Sequence, residues 1–349
     1  MEMIRFTDRR FGLEAILGVH SRGTGVTFGG IRLLPFARAV EAERDAQRLS
    51  EAMTHKLSMI GEPFGGSKMV VRAKDQSDRT ALMHRIGELV DSLKGFFITA
   101  IDFGFKSQDA LTIRERTRFI LGFDGPGSVG ASGTTTALGA FGAMPTILKE
   151  ISTSPTISGK TFAIQGLGSV GAKLAELILD SGGFVFASDL DESKLERFRG
   201  IGGFRAVHPF DILSLRVNVL CPCGPACVIN PDTIPDIKAD AIAGVANCVL
   251  EDEAFDDRLL MRKGILLVPD FVLNAGGVMQ GISEHRGRGL QDAIDKLPII
   301  QKNLRKVFRK AKEERIGTMA AAKSIAIARR EAMGRCNGHR KGQVPAARG

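Results

Sequence analysis

The sequence predicts an α/β protein of two domains around a cleft, each with a sheet covered by helices. Three observations carry this. A length of 349 residues suits two domains. Strand-like and helix-like segments alternate along most of the chain. A glycine-rich strand–turn–helix stands in the middle of it, at QGLGSVG. The composition, 44% hydrophobic and 25% charged, excludes a disordered or collagen-like chain. No apolar run reaches the ~18 residues of a membrane span. The N-terminus MEMIRFTDRR has no apolar signal segment, and an odd set of five cysteines is no disulfide framework, so a cytoplasmic protein is expected.

Taken in order, residues 14–20 (EAILGVH) and 25–34 (GVTFGGIRLL) read as two strands of a hairpin. Residues 39–53 read as a helix, 61–68 as a glycine-rich loop, 69–73 as a strand, 80–93 as a helix and 96–100 as a buried strand. The glycine- and serine-dense stretch 123–133 reads as a linker, and 134–151 as a helix that Pro145 kinks or interrupts. From residue 160 strands and helices alternate to about residue 274, as in a parallel sheet covered on both faces. Residues 290–332 read as helical, and 333–349 as a frayed, flexible tail. The net charge of +9 is concentrated at the end: from Gly281 onward there are 17 basic and 6 acidic residues. There Lys302, Arg305, Lys306, Arg309 and Lys310 alternate with Leu304, Val307 and Phe308 at helical spacing. That pattern is the solvated face of an amphipathic helix rather than a nucleic-acid footprint.

Residues 161–165 are an apolar strand, and Gly166, Gly168 and Gly171 follow as G-x-G-x-x-G, with Ser169 and Val170 opening a helix. A second strand ends at Ser188, with Asp189 after it. This is the pattern of a Rossmann dinucleotide-binding domain. Gly166 permits the tight turn, Gly168 lets the backbone approach a pyrophosphate, Gly171 lets helix and strand pack, and the helix N-terminus faces the phosphates. Asp189 would accept hydrogen bonds from ribose hydroxyls and repel a 2′-phosphate, which predicts NAD over NADP. Lys56 and Lys68, twelve residues apart across a glycine-rich loop, can converge on one anionic ligand. Two ammonium groups that close would favour loss of a proton from one of them, making it a base near neutral pH. Asp102 ends an apolar strand, a favourable place for function in α/β folds.

Over about residues 12 to 330 the chain resembles the glutamate, leucine, phenylalanine and valine dehydrogenases, in the motifs FGGIRLLPF, MTHK, FGGSK, ITAIDFG, TTTALGAF, QGLGSVG, IAGVANCVL and VPDFVLNAGG. The resemblance implies NAD-dependent, reversible oxidative deamination of an L-amino acid to a 2-oxo acid and ammonia. It implies that Lys56 binds the substrate carboxylate, Lys68 is the base that activates water, and Asp102 exchanges protons with the amino group. Gly29, Gly30 and Asn274 would lie against the substrate, with Phe28 and Ala100 lining the side-chain pocket. Thr136, Asn247 and Asn274 would lie by the nicotinamide. A bulky Phe28 favours branched-chain or small aliphatic substrates, with aromatic ones fitting only if its ring turns away. The domains implied are 1–132 for substrate binding and oligomerisation, 134–290 for NAD, and helices 291–332 returning to the first. Relatives are oligomers, so a homo-oligomer of two or more chains is expected.

Ser67, Ile101 and Cys248 depart from the family's pattern, the first two beside catalytic-type residues. The alternative they open is a non-catalytic NAD-binding subunit on the same fold. Cys221, Cys223 and Cys227 lack the paired spacing of zinc sites, and no metal is expected.

Overall fold

The computed structural model describes residues 1–73 and 76–340, the side chains of 335–340 excepted. Two compact units emerge: residues 1–120 with the chain from Lys323 on, and Leu121–Ala322.

The first unit is built on a five-stranded mixed sheet. Its strands are β1 (Glu2–Asp8), β2 (Leu13–Val19), β3 (Thr27–Leu33), β4 (Gly65–Ala73) and β5 (Phe97–Ile101), in the order β1-β2-β4-β3-β5. Helices α1 (Ala39–Met59), α2 (Arg79–Ser92) and α3 (Ser107–Arg114) connect them. The expected hairpin of residues 14–20 and 25–34 is not formed. β4 lies between β2 and β3, antiparallel to the first and parallel to the second. The strand β1, paired with β2 along its whole length, was not anticipated. β4 is buried along its first seven residues, so it takes the interior of the sheet that a local hairpin would have closed.

α1 lies unusually near the sheet, and its sequence says why. Ala42, Ala46, Ser50, Thr54 and Ser58 repeat every fourth residue and are all buried. They meet glycines: a Cβ on Gly18 would stand 2.8 Å from the Ala46 carbonyl oxygen, and one on Gly66 only 2.2 Å from the Thr54 amide nitrogen. Small residues on both surfaces bring the helix down over β4, where Lys68 follows Gly66 on the same face.

The second unit carries a six-stranded, wholly parallel sheet. Its strands are β6 (Thr161–Gln165), β7 (Phe184–Ser188), β8 (Phe204–Ala206), β9 (Val219–Pro222), β10 (Ala241–Ala243) and β11 (Leu266–Val268). The order β11-β10-β9-β6-β7-β8 is the doubly wound 3-2-1-4-5-6 arrangement, whose direction reverses between β6 and β9. Around it lie α4 (Gly133–Ile151), α5 (Ser169–Asp180), α6 (Glu192–Glu196), α7 (Glu253–Lys263), α8 (Asp270–Leu273), α9 (Gly276–His285), α10 (Leu290–Lys296) and α11 (Pro298–Glu314). Pro145 does not break α4. α11 buries Ile300, Leu304, Val307, Phe308 and Ala311 and turns its basic residues outward. α12 (Thr318–Arg340) runs past Met333, where the sequence suggested fraying, while residues 341–349 lie outside the described residues. Among the described residues no helix is long and apolar enough to cross a membrane.

Candidate active site

Lys68 and Asp102, 34 residues apart in sequence, meet in the first unit, where the Lys68 ammonium donates to Asp102 Oδ2. Lys68 is buried, 4% exposed, and Asp102 keeps 18% of its side chain open. The backbone fixes Asp102 first: its amide donates to the Ile31 carbonyl at 2.9 Å, tying the end of β5 to β3. The turn that follows needs glycine, because Gly104 has φ +88° and an added Cβ would stand 1.7 Å from the Leu33 carbonyl oxygen. Burial pushes the Asp102 carboxyl up. The Lys68 ammonium and the Arg32 guanidinium outweigh that and hold it well below the usual carboxylate range.

Gly30 leaves the space beside this pair. A Cβ there would lie 2.8 Å from Lys68 Nζ, 3.4 Å from Asp102 Cβ and 3.4 Å from the Ala100 carbonyl oxygen. Gly29 serves a different purpose, since its Cβ would stand 1.8 Å from the Ser67 carbonyl oxygen and part β3 from β4. Phe28, 5% exposed, holds its ring 4.7 Å from that of Phe64. Lys56 is buried in the last turn of α1, two residues past Thr54.

The two departures beside these residues point elsewhere. Ser67 alternates with Lys68 on β4, and its hydroxyl donates to Thr27 Oγ1 at 2.9 Å, which in turn donates to the Phe96 carbonyl. Ile101 likewise alternates with Asp102 and pairs with Ile31 across the sheet. Arg32 went unnoticed in the sequence, although its place two residues after Gly30 on one strand sets it on the same face.

In the second unit the residues of the glycine turn fit a dinucleotide. Gly166 has φ +92°, which favours glycine, and a Cβ on Gly171 would stand 1.9 Å from the Gly166 carbonyl oxygen. A Cβ on Gly168 would meet nothing within 4 Å, so this stretch of backbone is open to a pyrophosphate. The first turns of α4 and α5 adjoin there, as a Cβ on Gly133 would stand 2.7 Å from Ser169 Oγ. Two helix N-termini thus lie side by side, an arrangement that favours an anionic group. A cavity of about 380 Å³ beside them is lined by Thr134, Gly168, Ser169, Lys173, Lys194 and Arg197. A larger one, about 460 Å³, lies at the N-terminal ends of β10 and β11, away from the glycine turn and from every residue that carries chemistry.

Asp189 directly follows β7, where the sequence puts it, but its oxygens are already engaged. Oδ2 accepts from the Leu167 amide at 2.7 Å and Oδ1 from the Asp191 amide at 2.9 Å, and Lys194 Nζ lies 3.2 and 3.3 Å from the two. Burial raises the Asp189 carboxyl, and the two amides and Lys194 more than reverse it. Leu190, 90% exposed beside it, is an apolar side chain that sequence reading passed over. Asn274 Nδ2 donates to the carbonyls of Val245 and Ala246 and, at 3.0 Å, to Asn247 Oδ1. Its Oδ1 is a buried acceptor with no partner. Thr136 joins this group: a Cβ on Gly277, three residues past Asn274, would stand 2.8 Å from Thr136 Oγ1. The loop holding Cys223 packs on the glycine turn, its Cβ 3.2 Å from where a Gly171 Cβ would stand. Cys248 is buried with φ +54°, and its carbonyl accepts from the Cys227 amide at 2.9 Å. Among the described residues no three His, Cys, Asp or Glu side chains gather as a metal site requires.

Comparison with known proteins agrees across the chain. Residues 3–119 match the family described as Glu/Leu/Phe/Val dehydrogenase, dimerisation domain, and residues 187–335 match Glutamate/Leucine/Phenylalanine/Valine dehydrogenase. Phenylalanine dehydrogenase of Lysinibacillus sphaericus is 36% identical over 328 residues, 92% of this chain and 86% of that one. Leucine dehydrogenase of Thermoactinomyces intermedius is 33% identical over 334 residues, 95% of this chain and 91% of that one. The crystal structure of L-tryptophan dehydrogenase from Nostoc punctiforme superimposes with a TM-score of 0.79 at 32% identity, covering 96% of this chain and 97% of that one.

Proposed function

The chain belongs to the glutamate/leucine/phenylalanine/valine dehydrogenase family and is an amino-acid dehydrogenase, and we propose that its substrate is a neutral, apolar L-amino acid, branched-chain or small aliphatic in preference, and its cofactor NAD. The overall reaction converts the amino acid, NAD and water to the 2-oxo acid, ammonium, NADH and a proton.

The observation that carries the reading is the Lys68–Asp102 pair beside the space that Gly30 leaves. Lys56 takes the substrate carboxylate as an ionic partner. Asp102 accepts a proton from the substrate nitrogen. The hydride of the α-carbon would pass to the nicotinamide that NAD supplies when bound, leaving the substrate as an imine. Lys68, having released its ammonium proton to solvent as the substrate binds, removes a proton from water as the oxygen adds to the imine carbon. Asp102 returns a proton to the nitrogen, the C–N bond breaks as the hydroxyl gives its proton to solvent and becomes the carbonyl, and ammonia departs. The glycine turn of Gly166, Gly168 and Gly171, with Ser169 and Val170, would hold the pyrophosphate, and Asp189 the adenosine ribose. The unpartnered Asn274 Oδ1 suits an N–H donor, with Thr136 and Asn247 beside it. The Phe28–Phe64 pair fills space next to the glycines, which favours an aliphatic side chain. A homo-oligomer assembled through the first unit is supported by the description of the family matched there.

The test is NADH consumption with ammonia and a panel of 2-oxo acids: 4-methyl-2-oxopentanoate, 3-methyl-2-oxobutanoate, phenylpyruvate, indolepyruvate and 2-oxoglutarate, repeated with NADPH. Fastest turnover on the first two with NADH is expected. Preference for indolepyruvate or 2-oxoglutarate would overturn the substrate reading, and equal use of NADPH the cofactor reading.

A further inference from the structure

Asp102 has a second cationic partner to which the reaction gives no work. Arg32 is 6% exposed, with Nε 3.2 Å and one terminal nitrogen 3.1 Å from Asp102 Oδ2. Its other terminal nitrogen donates to Asp45 Oδ2 on α1 at 3.0 Å, and Arg48 stands 3.5 Å from Asp45 Oδ1. The Phe103 ring lies 5.7 Å from the guanidinium carbon. Arg32 therefore bridges two carboxylates, one on the helix and one at the end of β5. Lys68 and Arg32 both bind Oδ2, and neither is bonded to Oδ1.

We propose that Arg32 is a positioning residue that keeps Asp102 an oriented carboxylate whatever the protonation state of Lys68, with Asp45 anchoring its far end. This rests on the deamination reading, because only a Lys68 that acts as a base spends part of the cycle neutral. Until Asp102 takes the proton of the substrate nitrogen, it would otherwise be a largely enclosed anion beside an uncharged amine, which is strongly unfavourable. A guanidinium does not lose its proton under these conditions, so its charge persists while that of Lys68 comes and goes. Two of its nitrogens converge on Oδ2, which anchors that oxygen and leaves Oδ1 for the substrate nitrogen. The charged groups facing the pair are Asp45 and Arg48 from α1, Arg32 from β3 and Lys68 from β4, with Lys56 further along α1.

Carbon-13 NMR of protein labelled at the aspartate side-chain carboxyls tests this, the Asp102 signal being identified by its loss in Asp102→Asn. In Arg32→Met the Asp102 titration moves up by about one pH unit or more. In Arg32→Lys the charge remains without the fork. There the titration stays near that of the parent, while kcat falls about tenfold or more and KM changes little. Asp45→Asn behaves as Arg32→Lys does. An Arg32→Met protein whose Asp102 titration is that of the parent overturns the proposal. If Arg32→Met does not fold, unchanged kcat in Arg32→Lys overturns it alone. Should the parent protein turn over no amino acid, the functional reading falls, and the NMR titration still decides whether Arg32 holds Asp102.

Discussion

Gly30 works by what it lacks. A methyl group there would press on Lys68 Nζ at 2.8 Å, the far end of a flexible side chain, so the sheet can absorb it while the Lys68–Asp102 pair cannot keep its geometry. Gly30→Ala is therefore expected to fold normally and to lose about 100-fold in kcat/KM, since misplacing a reacting group by an ångström costs that much. Gly66→Ala makes the contrast, because its methyl would meet Thr54 backbone nitrogen at 2.2 Å. It should lower the unfolding midpoint in urea. Equal stability of the two variants, or full activity in Gly30→Ala, would contradict this account. At this scale the sequence was legible for the places of Lys68, Asp102 and the glycine turn, which residue type and spacing set apart. Arg32 was not, because an arginine on a strand acquires meaning only when Asp102, 70 residues on, is brought to it. Asp189 was half legible: its place is as read, but the hold of Leu167 and Lys194 on its oxygens is tertiary.

α1 shows how an element can be specified by its smallest residues and still carry a buried ionisable one. His55 lies in the buried last turns, 4% exposed. Burial pushes its imidazole down to about 4, Lys323 and His20 act in the same direction, and Glu51 opposes them. The folded protein therefore holds His55 neutral, whereas the unfolded chain protonates it near 6.5. Its contribution is full above pH 6.5 and is lost as the pH falls toward 4, by about 3 kcal/mol. Urea denaturation of the parent and His55→Gln at pH 7 and pH 4.5 checks this: the parent should lose more stability between the two by roughly 2–3 kcal/mol. Equal losses would mean that His55 does not titrate with folding. The helical spacing of α1 was plain in the sequence, as was the amphipathic pattern of α11. The order of the first sheet was not. Residues 14–20 and 25–34 are separated by a turn-like stretch, and local pattern alone joins them. What separates them is β4, entering some 30 residues later to pair with both.

At the scale of the whole molecule, the residues proposed for chemistry and those proposed for the cofactor fall in two different units. Lys56, Lys68, Asp102, Arg32 and Gly30 belong to residues 1–120, and the glycine turn, Asp189, Thr136, Asn247 and Asn274 to Leu121–Ala322. The second sheet places every strand-end loop of the dinucleotide pattern with its own helices and buried residues, among them Phe162, Ile164, Leu174 and Val185. Lys68 and the glycine turn belong to different units. Lys68→Ala is expected to cut turnover at least 1,000-fold, in the range lost with a base and its ordered partner. It should leave the affinity for NADH, read by fluorescence enhancement on binding, within about twofold of the parent. Lys56→Ala should differ in kind, raising KM for the amino acid through loss of a carboxylate partner while NADH binding again stays the same. Substantial turnover in Lys68→Ala would remove it from the role of base. Loss of NADH binding in either variant would mean that the two units do not divide the work in this way.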